Sequence, residues 1–176
     1  MGEFEDRLSR VSALRPRSAV PGVRPGAVTG SNSERLMETL GGEIRTTLLG
    51  VHLRVQARFP EPAATGAEFQ ALRLIAPHSG DPVCDPAQWL FLDTETTGLS
   101  GGTGTYAFLV GLGWWEEGKF VVEQVFMRNH AEEPSLLLDV LERLGQRRVL
   151  VTFNGKSFDW PLLVTRFQMT RTGPAP

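Results

Sequence analysis

"FLDTETTGL", residues 91–99, brings an aspartate, Asp93, to the end of an apolar run and places a glutamate, Glu95, two positions later. In a strand, residues two apart point to the same face. The pair would then be like charges a side chain's width apart, and no lysine or arginine follows until Lys119. Such a pair is unfavourable unless something offsets it. A divalent cation would do so. Carboxylate oxygens are hard ligands suited to Mg²⁺ or Mn²⁺, and a strand end opening on a loop leaves room for water and substrate. For an arbitrary Asp-x-Glu, two acids merely exposed at a strand end is the better reading. Here the preceding strand is wholly apolar, and Thr94, Thr96, Thr97 and Gly98 surround and follow the acids. The balance moves to the ion.

Working outward, "QWLFLDTE" reads as a buried strand and "TYAFLVGLGWW" as a second. "EEGK" reads as a four-residue turn into a third strand, "FVVEQVFMR". "EEPSLLLDVLERLGQR" carries acids at its start, Pro134 near its first turn and Gly145 near its end, which predicts a helix with Leu137, Leu138, Leu141 and Leu144 along one side. "VLVTF" is a fourth strand, "NGKSFD" a loop, and "WPLLVTRFQM" opens another helix. This β-β-β-α-β-α order predicts an α/β domain with a mixed sheet and its first strand inside.

The segments before it divide in two. Residues 1–31 hold a short amphipathic pattern over 3–14 and then a Pro- and Gly-rich linker. Residues 32–87 form an N-terminal extension. "NSERLMETLGG" reads as a helix capped by Asn32 or Ser33 and ended by Gly41 and Gly42. "VHLRVQARF" alternates strictly, which predicts a strand with His52, Arg54, Gln56 and Arg58 on a solvated face. A short helix is expected near 67–74. The third region, 88–176, is the α/β domain.

The chain has 176 residues with a formal net charge of −2, so any nucleic-acid binding rests on local patches rather than a basic whole. Cys84 is its one cysteine, which rules out an internal disulfide. The acidic N-terminus and the lack of a long apolar run predict a cytoplasmic protein.

Asp159 stands at the start of the last helix, where an aspartate is an ordinary cap. Topology makes it more. A strand returning through a helix lies parallel to the central strand, so both strand ends open on one sheet edge, where α/β sites sit. Asn154, Gly155 and Lys156 form the intervening loop, and Lys156 is placed to meet a phosphate.

"FLDTETTGL" with "LVTFNGKSFDWPLL" resembles the first two motifs of the DEDD, or DnaQ-like, 3′–5′ exonucleases, which have a ribonuclease H-like fold. "FLDTETTGLSGGTGTYAFLVGLGWW", the "EEPSLLLDVL" helix and "FNGKSFDWPLLVTRF" resemble, more narrowly, the bacterial YprB-type ribonuclease H-like domain over roughly 88–169. The resemblance implies two-metal phosphodiester hydrolysis, with Asp93, Glu95 and Asp159 as the metal-binding and catalytic acids and Mg²⁺ or Mn²⁺ as cofactor. It implies a nucleic-acid substrate, DNA or RNA, entered at a single-stranded end. Thr96, Thr97 and Gly98 would contact the terminal nucleotide. Phe158 and Trp160 could stack on bases, although core packing suits both.

The family's third motif supplies a last aspartate, with a nearby tyrosine or histidine, on a helix after a fifth strand. No carboxylate follows Asp159, and the tail "MTRTGPAP" does not resemble that strand. The expectation is a catalytically incomplete fragment. A non-catalytic nucleic-acid-binding or protein-interaction module, and a site completed by a partner chain, are the other readings.

Overall fold

The computed structural model describes residues 30–60, 69–75, 85–98 and 103–172. The amphipathic pattern over 3–14, nearly all of the linker, and Cys84 lie outside the described residues. The chain divides into two compact units, 1–42 and 43–176. In the first, α1 spans Gly30–Leu40. It begins two residues before the expected cap, so Asn32 and Ser33 lie inside its first turn. Its end is as expected: Gly41 takes φ +63°, and the Gly42 N–H donates to the Met37 carbonyl at 3.0 Å.

The second unit is a six-stranded sheet. Its strands are β1 (Glu43–Thr47), β2 (Gly50–Phe59), β3 (Trp89–Thr96), β4 (Ala107–Glu116), β5 (Lys119–Phe126) and β6 (Val149–Val151), in the order β1-β2-β5-β4-β3-β6. Three helices accompany it, α2 (Phe69–Ile75), α3 (Glu133–Gly145) and α4 (Asp159–Thr170). Every pairing is antiparallel except β3 with β6, which the α3 crossover makes parallel. The mixed α/β sheet of the ribonuclease H-like expectation is present, with β3 enclosed between β4 and β6. The β1–β2 hairpin joins the same sheet through β5. The β4–β5 connection is tighter than read from sequence. Glu116 pairs with Lys119, and Glu117 and Gly118 alone turn the chain at φ +51° and +72°. Two successive positive φ angles match the twist of a two-residue hairpin.

The core lies between one sheet face and the helices. Leu90 and Leu92 of β3, Val110, Leu112 and Trp114 of β4, and Val121 and Val125 of β5 are buried. From the helices come Leu136, Leu137 and Val140 of α3 and Leu162, Leu163 and Phe167 of α4. The buried face of α3 differs from the leucine row expected: Leu138, Leu141 and Leu144 are half-exposed, and Glu133, Ser135 and Asp139 go inside instead.

Those polar residues explain a second correction. At its His52 end the alternating face of β2 looks toward α3 rather than solvent, while Gln56 and Arg58 stay exposed as expected. His52 is fully buried, with Nδ1 2.9 Å from Ser135 Oγ and Nε2 3.1 Å from Asp139 Oδ2. Thr47 Oγ1 lies 2.9 Å from the same Ser135 hydroxyl. Beside it Glu123, also fully buried, accepts from Arg143 Nε at 2.8 Å, Arg143 Nη2 at 2.9 Å and Gln56 Nε2 at 3.0 Å. Buried polar groups must find partners, and here the helix supplies them. Arg54 and Arg58 are engaged by Glu43 and Glu116.

Candidate metal and nucleic-acid site

β3 carries the first two acids. Leu90 and Leu92 face the helices, so the opposite parity, Phe91, Asp93 and Glu95, faces the other side. Asp93 is exposed and Glu95 half-buried. The β3–β4 register shifts between Glu95 and Thr96. Such an irregularity re-aims the residues that follow, and it sits directly after the second acid. Beyond it the Thr97 N–H donates to the Tyr106 carbonyl and the Tyr106 N–H to Thr97 Oγ1, both at 3.0 Å. Thr96 Oγ1 donates to the Gly98 carbonyl at 2.9 Å. The Thr96–Thr97–Gly98 turn is thus pinned at both ends beside the acids.

Asp159 arrives from α4. It is the first helical residue rather than the cap, and it is buried at 5% exposure. In place of a capping bond, its Oδ1 accepts from Thr94 Oγ1 at 2.5 Å. The loop before it is built tightly. A side chain at Gly155 would meet Thr152 Oγ1 at 2.2 Å, and the Gly155 N–H donates to that hydroxyl at 3.1 Å. Glycine is required there by contact alone.

The three acids share one sheet edge closely enough to affect one another. Burial, then the charges of Asp159 and Glu95, push the Asp93 carboxyl up from its ordinary value, and the Thr94 backbone bond only partly opposes them. Three oxygen donors with mutual repulsion are chemically suited to a hard divalent ion. Among the described residues, however, no group of three His, Cys, Asp or Glu side chains converges as a ready ligand cage. Asp159 is partly turned to Thr94.

The other expected contacts scatter. Asn154 and Lys156 are exposed, and Phe158 is half-buried. Lys156 lines an open cavity of about 560 Å³ beside β6 with Arg147, Arg148, Leu150 and Trp160, and none of the three acids borders it.

A profile of the RNase_H superfamily matches residues 90–175. Residues 90–175 are thus similar to ribonuclease H-like domains, and the mixed α/β sheet is consistent with that fold. The uncharacterized protein YprB of Bacillus subtilis (strain 168) is 41% identical over 81 residues, which are 46% of this chain and 19% of that protein. This chain therefore spans a minor part of the relative's length. Ribonuclease H-like domains generally use divalent metals, and the superfamily is one of nucleic-acid hydrolysis. Among the described residues no helix is long and apolar enough to cross a membrane.

Four residues that the structure brings out near this end of the sheet were not singled out from the sequence. Thr94 was read only as part of a polar run, yet it holds Asp159. Arg166 lies seven residues after Asp159 on the buried face of α4, a spacing of about two helical turns that could have flagged it. Tyr106 and His130 stack on each other, and their sequence separation left no local signal.

Proposed function

We propose that this domain binds a single-stranded end of DNA or RNA and hydrolyses its phosphodiester bonds in the manner of a 3′–5′ exonuclease. The observation that supports this is that Asp93, Glu95 and Asp159 lie near enough for the two neighbours, after burial, to push the Asp93 carboxyl up. Asp93 and Glu95 would hold the divalent ion, Mg²⁺ or Mn²⁺, and Asp159 would hold it on release from Thr94. When bound, the ion supplies charge stabilisation at the phosphoryl oxygens. The chain's own part is to orient. The pinned Thr96–Gly98 turn presents Thr97 and backbone to the terminal nucleotide, and the Asn154–Lys156 loop offers an exposed cation to the phosphates downstream.

The test is release of labelled nucleotides from single-stranded DNA and RNA in Mn²⁺, comparing wild type with Asp93→Ala. Release that falls to background only in the variant supports hydrolysis. Equal background release from both overturns it.

A second reading, a nucleic-acid-binding module without turnover, is favoured by one observation. The described acids do not form a three-ligand cage. Equal background release with retained binding of the same strands supports it.

A further inference from the structure

Arg166 is 3% exposed and lies in the middle of α4. Its Nε and Nη2 donate to the two carboxylate oxygens of Glu133, both at 2.5 Å. Its Nη1 donates to the Thr103 carbonyl at 2.7 Å. The guanidinium then lies over the ring of Tyr106, 4.0 Å from the centroid. On Tyr106 lies a further ring, that of His130, at 4.2 Å between centroids and 14° between planes. The result is a layered column, Arg166, Tyr106, His130, anchored by a buried ion pair at its base. Its last member is exposed. Among the described residues no other ring stacks on His130.

The column stands at the edge of the sheet that carries the acids. Tyr106 immediately precedes β4 and exchanges two hydrogen bonds with Thr97. Thr97 follows Asp93 by four residues, roughly 13 Å along an extended chain. His130 follows the end of β5 in a turn that is itself held. Asn129 Oδ1 accepts from the Ala131 N–H at 3.0 Å, and Glu132 takes the Arg128 backbone N–H at 2.9 Å as well as its guanidinium. The ring is therefore positioned before any ligand arrives, which lowers the ordering cost of binding one. A flat, exposed aromatic surface of this kind suits the π-face of a base, whatever the base.

We propose that His130 is a stacking platform for a nucleobase of a single-stranded nucleic acid, a few nucleotides from the end held at Asp93 and Glu95. This rests on the nucleic-acid reading above. Tyr106 and Arg166 are positioning residues that hold the platform. The contact is to a base rather than a phosphate, so an aromatic ring without charge serves in its place.

The experiment measures anisotropy of a fluorescein-labelled oligothymidylate, and of the same sugar-phosphate chain without bases, in Ca²⁺, a hard divalent ion that can sit at the carboxylates, under conditions where gel analysis shows neither chain is cleaved. Wild type, His130→Ala and His130→Phe are compared after matching their thermal unfolding. His130→Ala is expected to weaken oligothymidylate binding about tenfold, with His130→Phe within about twofold of wild type, and with all three equal on the abasic chain. Equal oligothymidylate binding by wild type and His130→Ala overturns the platform alone. So does a phenylalanine variant as weak as the alanine one, or a loss that is the same on the abasic chain. If wild type binds neither chain, the nucleic-acid reading fails and the platform with it.

Discussion

The hydroxyl of Thr94 donates to Asp159 Oδ1 across 2.5 Å, joining the strand of Asp93 and Glu95 to a helix residue 65 positions away in sequence. Thr94 projects to the helical side of β3, between two acids that project to the other. One strand thus supplies two of the carboxylates and the tether for the third. Thr94→Val should cost about 2 kcal/mol of stability, as expected for a lost hydrogen bond to a charged group. It should also change the rise in unfolding temperature that Mn²⁺ produces, and Thr94→Ser should restore both. Thermal unfolding with and without Mn²⁺ reads the two effects together. A valine variant that matches wild type in both would remove Thr94 from the site.

Asp93 carries a proton more tightly in the folded chain than in the unfolded one, because burial and then Asp159 and Glu95 disfavour its charge. The sign follows from proton linkage. The native state binds more protons over that window, so stability falls as pH rises from the ordinary aspartate value through the raised one. At neutral pH the ionised side chain is a cost. Asp93→Asn should therefore raise the unfolding temperature in metal-free buffer and flatten its decline through that window. It should also abolish most of the stabilisation by Mn²⁺. Calorimetric unfolding across an acidic pH series checks this, and an unchanged or lower midpoint at neutral pH would count against the charge cluster.

His52 links the β1–β2 hairpin to α3 through Ser135 and Asp139. The Ser-His-Asp order invites comparison with a nucleophilic triad. Burial decides otherwise, since all three residues are at or below 1% exposure and no substrate reaches them. The arrangement is a structural lock. His52→Ala would leave Ser135 and Asp139 buried without this partner and should cost about 3 kcal/mol by urea unfolding.

Asp139 adds a pH dependence to the same lock. Burial pushes its carboxyl up, but the His52 hydrogen bond and charge, with Arg143 and Arg45, outweigh this and hold it below the ordinary value. The stability it contributes is present above the unfolded aspartate value and is lost as pH falls through the lowered folded value. That acid-limb loss should be reduced in His52→Ala.

Arg166 and Glu133 form a bidentate pair with almost no solvent access. Arg166→Met should destabilise by about 4 kcal/mol, because it strands a buried carboxylate. Arg166→Met with Glu133→Gln should recover part of that loss. A double-mutant cycle by denaturant unfolding gives the coupling, and additive losses would show that the pair does not act as a unit.

The acids themselves were legible in sequence. An apolar strand ending in Asp-x-Glu, with a turn of threonines and glycine after it, needs only the two-residue period of a strand to set both carboxylates on one face. From residue 88 on, the order of strands and helices was legible for a similar reason, since periodicity and turn residues act locally; the short β1 strand, Glu43–Thr47, was not. The parallel placement of β6 against β3 was legible too, because a helical crossover allows little else. The solvated face assigned to β2 was not. Alternation shows that His52 and Leu53 point in opposite directions, but not which direction holds water. The α3 helix, more than 70 residues later, covers the His52 end of the polar side and provides Ser135 and Asp139 as partners there.

By itself, then, the amino-acid sequence determined the elements other than β1 (Glu43–Thr47), the two strand-borne acids and the class of fold, because each follows from spacing along the chain. The tertiary structure alone decided that Thr94 holds Asp159, that Arg166 supports Tyr106 and that His130 completes their column. Those contacts join residues from separate elements, and their energies depend on burial and on ring and hydrogen-bond geometry that exist only once the sheet and helices have packed.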